Sequence, residues 1–400
     1  MLEPASEMGA TSTALRGRAA AVVNAPRSAY IHVPFCRHHC GYCNFTLVAG
    51  RDDLIAAYLE ATSKELSWLE KPHEVDTLFF GGGTPTHLPP AELKQLLDLA
   101  KHWFPIAPGY ELSVEANPID LDDARCEVLA SAGVSRISLG IQSFRAEKLH
   151  VLERDHRQPK ILAAYEAARK FAQSVSLDLI FAAPGETLLQ WEQDLKAAIS
   201  LQPDHISTYG LTFERGTSFW GRRNRGELAQ AEEDAEGQMY ELAIDLLTAA
   251  GFEHYEVSNF ARLGHRCRHN EAYWTGLPFF AAGPGAARYV DGRREMNHRS
   301  TTTYIQRVLA GQSPVAESET LAPEDHARER LVFALRRLQG ISLSEFERET
   351  GYSVESLVKS PLEKFLAQGL FAHTADNLRL TRRGLLVSDA LWPAFLAPQN

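Results

Sequence analysis

The stretch Tyr30-Ile-His-Val-Pro-Phe-Cys-Arg-His-His-Cys-Gly-Tyr-Cys-Asn-Phe45 begins with a short apolar run that predicts a β-strand. Three cysteines follow this run, Cys36, Cys40 and Cys43, with the spacing C-x3-C-x2-C. Three thiolates on one tight loop can hold three corners of a 4Fe-4S cube and leave its fourth iron without a protein ligand. The spacing therefore predicts an iron-sulfur cluster with one iron open to chemistry.

A structural zinc site is the alternative for this loop. Closed zinc sites usually take four ligands, commonly two pairs of Cys or His. Cys126 and Cys267 are isolated and distant in the sequence, but His39 could act as a fourth ligand beside the three thiolates. The spacing alone leaves the zinc alternative open.

The composition sets outer limits on the fold and the partners. At 400 residues and 44% hydrophobic content, the chain is long enough for one barrel-sized domain and a smaller appendage. No apolar run approaches the roughly 20 residues of a membrane helix, so we expect no stable membrane insertion. Five cysteines with three on one loop do not make a disulfide framework, which favours a cytoplasmic location. A net charge of -10 argues against a nucleic-acid partner.

Short apolar runs alternate with amphipathic stretches through residues 28–220, which predicts an α/β fold with a parallel sheet and outer helices. Strands are predicted at residues 29–35, 76–80, 111–116, 136–142, 176–181 and 205–211. Helices are predicted between them, at residues 54–69, 91–103, 121–132, 159–172 and 189–199. Six such units are too few for a closed eight-stranded barrel. We predict a partial (β/α)6 TIM-like barrel, with a doubly wound sheet as the alternative.

The pattern changes on either side of this region. Residues 1–27 predict a mobile N-terminal tail. Residues 221–300 predict a barrel extension with a helix at about 228–250 and a strand at 251–260. Residues 301–400 predict a winged-helix-like domain, with helices at 325–338, 343–350 and 361–368 and a hairpin turning at Asp376-Asn377. No basic patch accompanies this domain, so the sequence does not favour DNA binding.

Chemistry-bearing residues follow four of the predicted strands. The motif Gly81-Gly-Gly-Thr-Pro-Thr86 follows the second strand, and its glycines would let the backbone approach a ligand and present bare N-H groups. Glu115, Gln142 and Asp178 lie near the ends of the next three strands. Because the carboxyl ends of parallel strands carry the active sites of such folds, we expect these residues to surround one site.

The cysteine loop and these motifs resemble the radical S-adenosylmethionine (SAM) superfamily. The Tyr-x-His-x-Pro-Phe-Cys opening resembles, within it, the oxygen-independent coproporphyrinogen III oxidase family. The resemblance implies an electron donor and one-electron cleavage of SAM to a 5'-deoxyadenosyl radical. It also implies SAM contacts at Tyr30, Tyr42, Gly82, Gly83, Thr84, Glu115, Gln142, Arg154 and Asp178.

This family has two branches, one of oxidative decarboxylases and one of heme chaperones. The decarboxylases typically carry a further cysteine two residues after the third, where this sequence has Phe45. The run Cys267-Arg-His-Asn-Glu-Ala-Tyr-Trp274 is similar to an H-N-x-x-Y-W motif of the chaperones. The resemblance therefore implies a chaperone that binds heme and passes it to acceptor hemoproteins. A coproporphyrinogen III dehydrogenase is the alternative.

The chaperone resemblance implies heme contacts at Cys267, His269, Asn270, Tyr273 and Trp274. An imidazole beside two aromatic rings suits both the iron and the flat macrocycle of a porphyrin. A hydrogen-bonded corner of the core is an equal alternative for His269. His265 and Cys267 are alternative iron ligands.

The sequence departs from the family just after this motif. Family members usually have a Gly-x-Gly-Ala-His-Ser stretch, where this sequence has Ala287 and Arg288 in place of the histidine and serine. Arg288 could pair with a heme propionate, because a guanidinium binds carboxylates through two parallel hydrogen bonds. The replacement also leaves open a cluster protein that acts on another substrate.

Overall fold

The computed structural model describes residues 25–397, so most of the predicted tail, residues 1–24, lies outside the described residues. Within that range the centre of the fold is a nine-stranded sheet. Six of its strands are parallel and lie side by side in chain order. They are β1 (Ser28–Val33), β2 (Val75–Gly82), β3 (Ile106–Ala116), β4 (Arg136–Gln142), β5 (Ser174–Phe181) and β6 (His205–Gly210).

The strand order confirms the partial barrel. A doubly wound sheet reverses its strand order at a switch point, whereas β1 to β6 run in one direction without reversal. The alternative is therefore wrong. Phe280–Ala282 extends the sheet as a parallel neighbour of β1, and Asn259–Ala261 continues it antiparallel to β6.

Helices cover the outside of the sheet. Their bounds are α1 (Ile55–Ser67), α2 (Pro90–Trp103), α3 (Asp123–Ala132), α4 (Ala146–Val151), α5 (Gln158–Arg169), α6 (Leu188–Ser200), α7 (Ser218–Asn224) and α8 (Glu233–Ala249). The clearest helix start is that of α6, where Thr187 and Gln190 form a reciprocal capping box. The core between helices and sheet is apolar; its members Ile31, Leu78, Val114, Leu177 and Trp191 are fully buried.

The strand predicted at residues 251–260 is wrong as a single element. It is an antiparallel pair, Glu253–Glu256 and Asn259–Ala261. The buried Glu256 carboxylate accepts hydrogen bonds from the Ser258 N-H (2.9 Å) and from Asn259 Nδ2 (2.6 Å), which folds the chain back between the two strands. Period-two alternation does not reveal such a turn because the turn residues continue the same pattern.

The C-terminal part continues with α9 (Arg268–Trp274), α10 (Thr301–Leu309), α11 (Pro323–Leu335), α12 (Leu343–Thr350), α13 (Val354–Ala367), α14 (Arg382–Leu385) and α15 (Ser388–Leu396). The predicted hairpin is formed by Phe371–His373 and Asn377–Leu380, with Ile341–Ser342 as a third strand. These helices and strands give the winged-helix-like arrangement. Helix α13 begins at Val354 rather than at the predicted residue 361, and it is kinked at Val358, three residues before Pro361.

A second small sheet crosses the boundary predicted at residue 300. Its strands are Ala287–Val290, Arg293–Asn297 and Val315–Glu319. Helix α10 also belongs with the barrel, because the Tyr304 hydroxyl donates to Glu65 of α1 at 2.5 Å. We therefore propose that the C-terminal domain starts after residue 319. Among residues 25–397, no helix is long and apolar enough to cross a membrane.

Candidate functional site

A cavity of about 480 Å³ opens at the carboxyl ends of the parallel strands. Its wall includes all three cysteines of the loop. It also includes most of the residues for which the resemblance implies SAM contacts: Tyr42, Gly82, Gly83, Thr84, Glu115, Gln142, Arg154 and Asp178. The fold thus brings together residues that come from six separate parts of the chain.

The cysteine loop is fastened to its surroundings through its thiols. Cys36 Sγ lies 3.2 Å from Thr84 Oγ1, and Cys40 Sγ lies 3.7 Å from both the Glu153 carbonyl oxygen and Arg154 Nη1. Burial raises the pKa of the Cys36 thiol to about 12, so this thiol keeps its proton until a metal displaces it.

His39 does not turn toward the thiols. Its Nε2 lies 3.0 Å from the Cys43 carbonyl oxygen, on the exposed side of the loop. Among the described residues, no three or more His, Cys, Asp or Glu side chains come together as ligands of a single metal ion. Three thiols that line one cavity suit a cluster, in which each thiolate takes a different iron.

The glycine motif differs from the expectation of bare N-H groups. The Gly82 N-H donates to Glu115 Oε2 (3.0 Å), the Gly83 N-H to the Val33 carbonyl (2.8 Å) and the Thr84 N-H to the Phe35 carbonyl (2.8 Å). All three donors are therefore used within the protein. The glycines act instead by close approach, because a Cβ at Gly83 would lie 2.8 Å from the Phe35 carbonyl oxygen.

Glu115 carries the most perturbed carboxylate in the cavity. Its pKa is raised to about 8, mainly by burial and also by the neighbouring Asp178, while the Gly82 N-H opposes the rise. The pKa of Asp178 is raised by burial too, against hydrogen bonds from Ser138 and other serines. A cationic ligand would relieve both effects, and the ammonium and sulfonium groups of SAM are cations.

The raised pKa of Glu115 predicts a pH-dependent stability. Because the folded state holds the Glu115 proton up to a pH of about 8 and the unfolded chain releases it near 4.5, the unfolding free energy should fall as pH rises through this window. The expected slope approaches about 1.4 kcal/mol per pH unit. Glu115→Gln should remove that slope in urea denaturation of the cluster-free protein at pH 5.5, 6.5 and 7.5. Equal slopes for the two proteins would contradict the prediction.

Arg154 and Gln142 occupy the wall beside the cysteines. Arg154 Nη2 donates to the Gly140 carbonyl at 2.8 Å, but its Nε is buried without a hydrogen-bond partner. A buried donor without a partner destabilises the folded state, so a bound group that accepts a hydrogen bond from Arg154 would stabilise this position. Gln142 has a φ of +61°, an uncommon backbone for a side chain other than glycine. Such strain concentrates at functional sites.

Tyr30 lies apart from this cavity. It lines an inner chamber of about 250 Å³, which shares Glu115, Ser138, Asp178 and Tyr209 with the upper cavity. Its hydroxyl lies 3.1 Å from His32 Nδ1, and its ring stacks on Phe79. Of the residues for which the resemblance implies SAM contacts, Tyr30 alone does not line the larger cavity.

The H-N-x-x-Y-W segment forms α9 beside the inner chamber. Glu111 of β3 fixes the start of this helix, because its carboxylate accepts from the Arg268 N-H (3.0 Å) and the His269 N-H (3.1 Å). His269, Asn270, Tyr273 and Cys267 line the chamber, whereas Trp274 packs against Tyr255 outside it. The chamber is smaller than the roughly 300–1,000 Å³ of pockets for larger ligands.

His269 has no nitrogen available for iron in this conformation. Its Nδ1 lies 2.9 Å from Thr77 Oγ1 and its Nε2 lies 2.8 Å from the Tyr273 hydroxyl. The imidazole is 1% exposed, and burial lowers its pKa to about 3. The geometry thus matches the hydrogen-bonded corner rather than an open iron ligand.

Arg288 is also engaged. Its guanidinium pairs with Glu295 on the neighbouring strand, at 2.5 Å from Nη2 and 2.7 Å from Nε to the same oxygen. The hypothesis that Arg288 binds a propionate would require it to leave this partner. The preceding Gly283 donates its N-H to the buried Glu65 carboxylate at 2.9 Å.

Several residues of the site carry no sequence signal of their own. Tyr209 lines both the cavity and the inner chamber, and Glu153 lines the cavity. Phe219 of α7 packs behind the cysteine loop. Glu153 stands beside Arg154 in the sequence, and its charge there is typical of an exposed helix end; only its fold-dependent contact with Gly41 distinguishes it.

Two family models match the chain. The radical SAM superfamily model matches residues 30–198, and the HemN C-terminal domain model matches residues 321–387. The coproporphyrinogen III oxidase HemN from Escherichia coli, described as a radical SAM enzyme, has a similar structure with a TM-score of 0.82. That match covers 94% of this chain and 91% of HemN at 23% identity, and it shows a shared fold.

Curated relatives carry the name heme chaperone HemW. The Bacillus subtilis (strain 168) protein is 34% identical over 375 residues, covering 92% of this chain and 99% of the relative. The Mycobacterium tuberculosis (strain ATCC 25618 / H37Rv) protein is 36% identical over 377 residues, covering 92% and 94%. The Escherichia coli (strain K12) protein is 34% identical over 384 residues, covering 93% and 98%. This chain therefore belongs to the radical SAM family that includes the proteins named heme chaperone HemW.

Proposed function

We propose that this protein is a heme chaperone that carries a 4Fe-4S cluster and SAM and transfers heme to acceptor hemoproteins. Cys36, Cys40 and Cys43 would hold the cluster. Within the SAM site, Glu115 and Asp178 would face the cationic groups of the ligand, Arg154 would donate to its carboxylate, and Tyr42 would cover the cluster side. A bound cluster would supply the electron for SAM cleavage, and an external donor would reduce it.

The observation that carries the chaperone assignment is Phe45. This ring is 61% exposed and lines the cavity, at the position where the decarboxylase branch typically has a further cysteine. An exposed apolar ring at a cavity mouth favours a flat apolar ligand over an additional polar group. The full-length similarity to proteins named heme chaperone supports the same assignment.

The segment 267–274 is the proposed heme contact that most needs a test. Iron ligation by His269 would displace the partner of one ring nitrogen, either Thr77 or Tyr273, and α9 would have to move to open the chamber of about 250 Å³ to a porphyrin. Cys267 is 2% exposed and would need the same movement. Heme binding without that movement would use ligands outside this segment.

The test uses anaerobically reconstituted protein divided between two assays. One portion is titrated with heme and followed by the Soret absorbance, then mixed with an apo-hemoprotein to measure transfer. The other is incubated with coproporphyrinogen III, SAM and dithionite and analysed for protoporphyrinogen. We expect stoichiometric heme binding and transfer without decarboxylated product.

Formation of the divinyl product would overturn the chaperone assignment and support the alternative, an oxygen-independent coproporphyrinogen III dehydrogenase. The His269→Ala variant adds a second readout to the titration. If His269 is a corner of the core, the variant should lose about 1–3 kcal/mol of stability, because the buried Tyr273 hydroxyl loses its partner, and keep its heme stoichiometry. Loss of heme binding at unchanged stability would instead assign His269 as the iron ligand.

A further inference from the structure

The peptide of Gly41, between the second and third cysteines of the loop, is held on both sides. Its N-H donates to Glu153 Oε2 at 2.7 Å, and its carbonyl accepts from the Phe219 N-H of α7 at 2.8 Å. A Cβ at this position would lie 2.5 Å from the Phe219 ring and 2.9 Å from the Glu153 carboxylate. The loop is therefore fixed at its midpoint by two elements that lie far from it in the sequence.

The backbone conformation of Glu153 directs its side chain toward Gly41. Its φ of +55° turns the chain just after α4, so that its carboxylate faces Gly41 while the next side chain, Arg154, faces the Cys40 thiol. The backbone carbonyl of Glu153 also lies 3.7 Å from Cys40 Sγ. The strained backbone at Glu153 thus gives the cysteine loop three polar contacts, two from Glu153 and one from Arg154.

The Glu153 carboxylate is shared with a cation. Arg222 of α7 lies with its Nη1 3.1 Å from Glu153 Oε1, and its guanidinium carbon lies 5.5 Å from the centre of the Phe219 ring. His38 Nε2 lies 3.8 Å from Glu153 Oε2, on the exposed side of the loop. The acid and the base form a partly buried pair directly behind the cluster ligands.

We propose that Glu153 and Arg222 are positioning residues for the cluster: the carboxylate fixes the loop through Gly41, and the pair sets the charge beside the bound cluster. This inference rests on the cluster site of the proposed function. Hydrogen bonds and nearby charge are among the factors that set the potential of an iron-sulfur cluster. A carboxylate favours the oxidised, more positive cluster, and a guanidinium favours the reduced one.

Removing the two charges one at a time should shift the cluster potential in opposite directions, which a general loosening of the loop would not do. Glu153→Gln removes the negative charge and should shift the cluster potential to a less negative value. Arg222→Gln removes the positive charge and should shift it to a more negative value. The double variant should return close to the wild-type potential, because the net charge of the pair is restored.

A second readout uses the protein without a cluster. The Gly41 amide should exchange its hydrogen about tenfold faster in Glu153→Gln than in the wild-type chain, since a weaker acceptor costs about one typical hydrogen bond. The matched controls are Glu147→Gln and Arg223→Gln. Glu147 is 80% exposed and makes a long ion-pair contact of 3.7 Å with Arg145, and Arg223 is exposed on the same helix as Arg222. Neither control should change the potential or the exchange.

The experiment is carried out on anaerobically reconstituted protein, with iron and sulfide content, the EPR signal of the reduced cluster and its potential measured for each variant. If the wild-type chain takes up no cluster, the proposed function fails. The exchange data then test only whether Glu153 fixes the loop through the Gly41 amide. If the wild-type and control chains take up a cluster and both charge variants shift the potential in the same direction or not at all, the inference fails while the proposed function stands.

Discussion

Gly82→Ala is expected to destabilise the protein and to abolish SAM binding. Gly82 has a φ of +111°, which side-chain-bearing residues rarely adopt, and a Cβ there would lie 2.4 to 2.7 Å from the His32 ring. That ring cannot move cheaply, because its nitrogens contact the Tyr30 hydroxyl (3.1 Å) and the Thr46 carbonyl (2.7 Å). Backbone strain and overpacking together should cost about 2–6 kcal/mol.

The matched control is Gly237→Ala. Gly237 lies inside α8, and a Cβ there would meet no atom within 4 Å. Alanine is the better helix former, so this variant should gain about 0.5–1 kcal/mol. In urea denaturation we expect the free energy of unfolding to fall for Gly82→Ala and to rise for Gly237→Ala. In calorimetry we expect only Gly82→Ala to lose SAM binding. A Gly82→Ala variant as stable as the control would show that the loop relaxes without strain.

The sequence predicted the barrel because each parallel strand carries its own local signal. Strands such as β4 and β6 are short runs that contain β-branched and apolar residues and are flanked by helical patterns, and their bounds agree with the predicted ones to within one residue at each end. The position of the motifs at strand ends then follows from topology alone, since parallel strands end at one edge. This is why the cysteines, Glu115, Gln142 and Asp178 line one cavity as expected.

The sequence could not predict which polar groups satisfy one another. The Gly82 and Gly83 amides are paired with Glu115 and Val33. Likewise, His269 meets Thr77 from a strand nearly two hundred residues earlier. Such contacts depend on packing distances that residue identity does not encode. A motif can therefore identify the family and still leave open whether its histidine faces a ligand or the core.

A buried charge cluster beneath the site carries the second large effect. Lys148 Nζ lies 2.6 Å from Glu186 Oε1 and 3.1 Å from Asp194 Oδ2, and all three side chains are at most 5% exposed. Asp194 also accepts from the Ser143 hydroxyl (2.6 Å) and the Phe144 N-H (2.8 Å). The cluster therefore ties the segment that follows Gln142, the last residue of β4, to Glu186 after β5 and to Asp194 of α6.

Lys148→Met is expected to lower the unfolding free energy by about 3–5 kcal/mol, because it leaves two buried carboxylates without their cation. Lys196→Met is the matched control. Lys196 is 62% exposed and pairs with Glu192 one helical turn away, so its loss should cost about 0.5 kcal/mol or less. Urea denaturation of the three proteins at pH 7.5 measures both effects.

The pH dependence of the stability loss in Lys148→Met identifies the cause of that loss. Burial already raises the pKa of Glu186 against the opposing effect of Lys148, and removal of the lysine should raise it further. A carboxyl group with a raised pKa in the folded state destabilises the fold least when it is protonated. The loss of unfolding free energy in Lys148→Met should therefore shrink as the pH is lowered from 7.5 to 5.5. A stability loss of equal size at both pH values would attribute it to the missing contact of the Lys148 ammonium, which lies 4.9 Å from the centre of the Trp191 ring, rather than to the unpaired carboxylates.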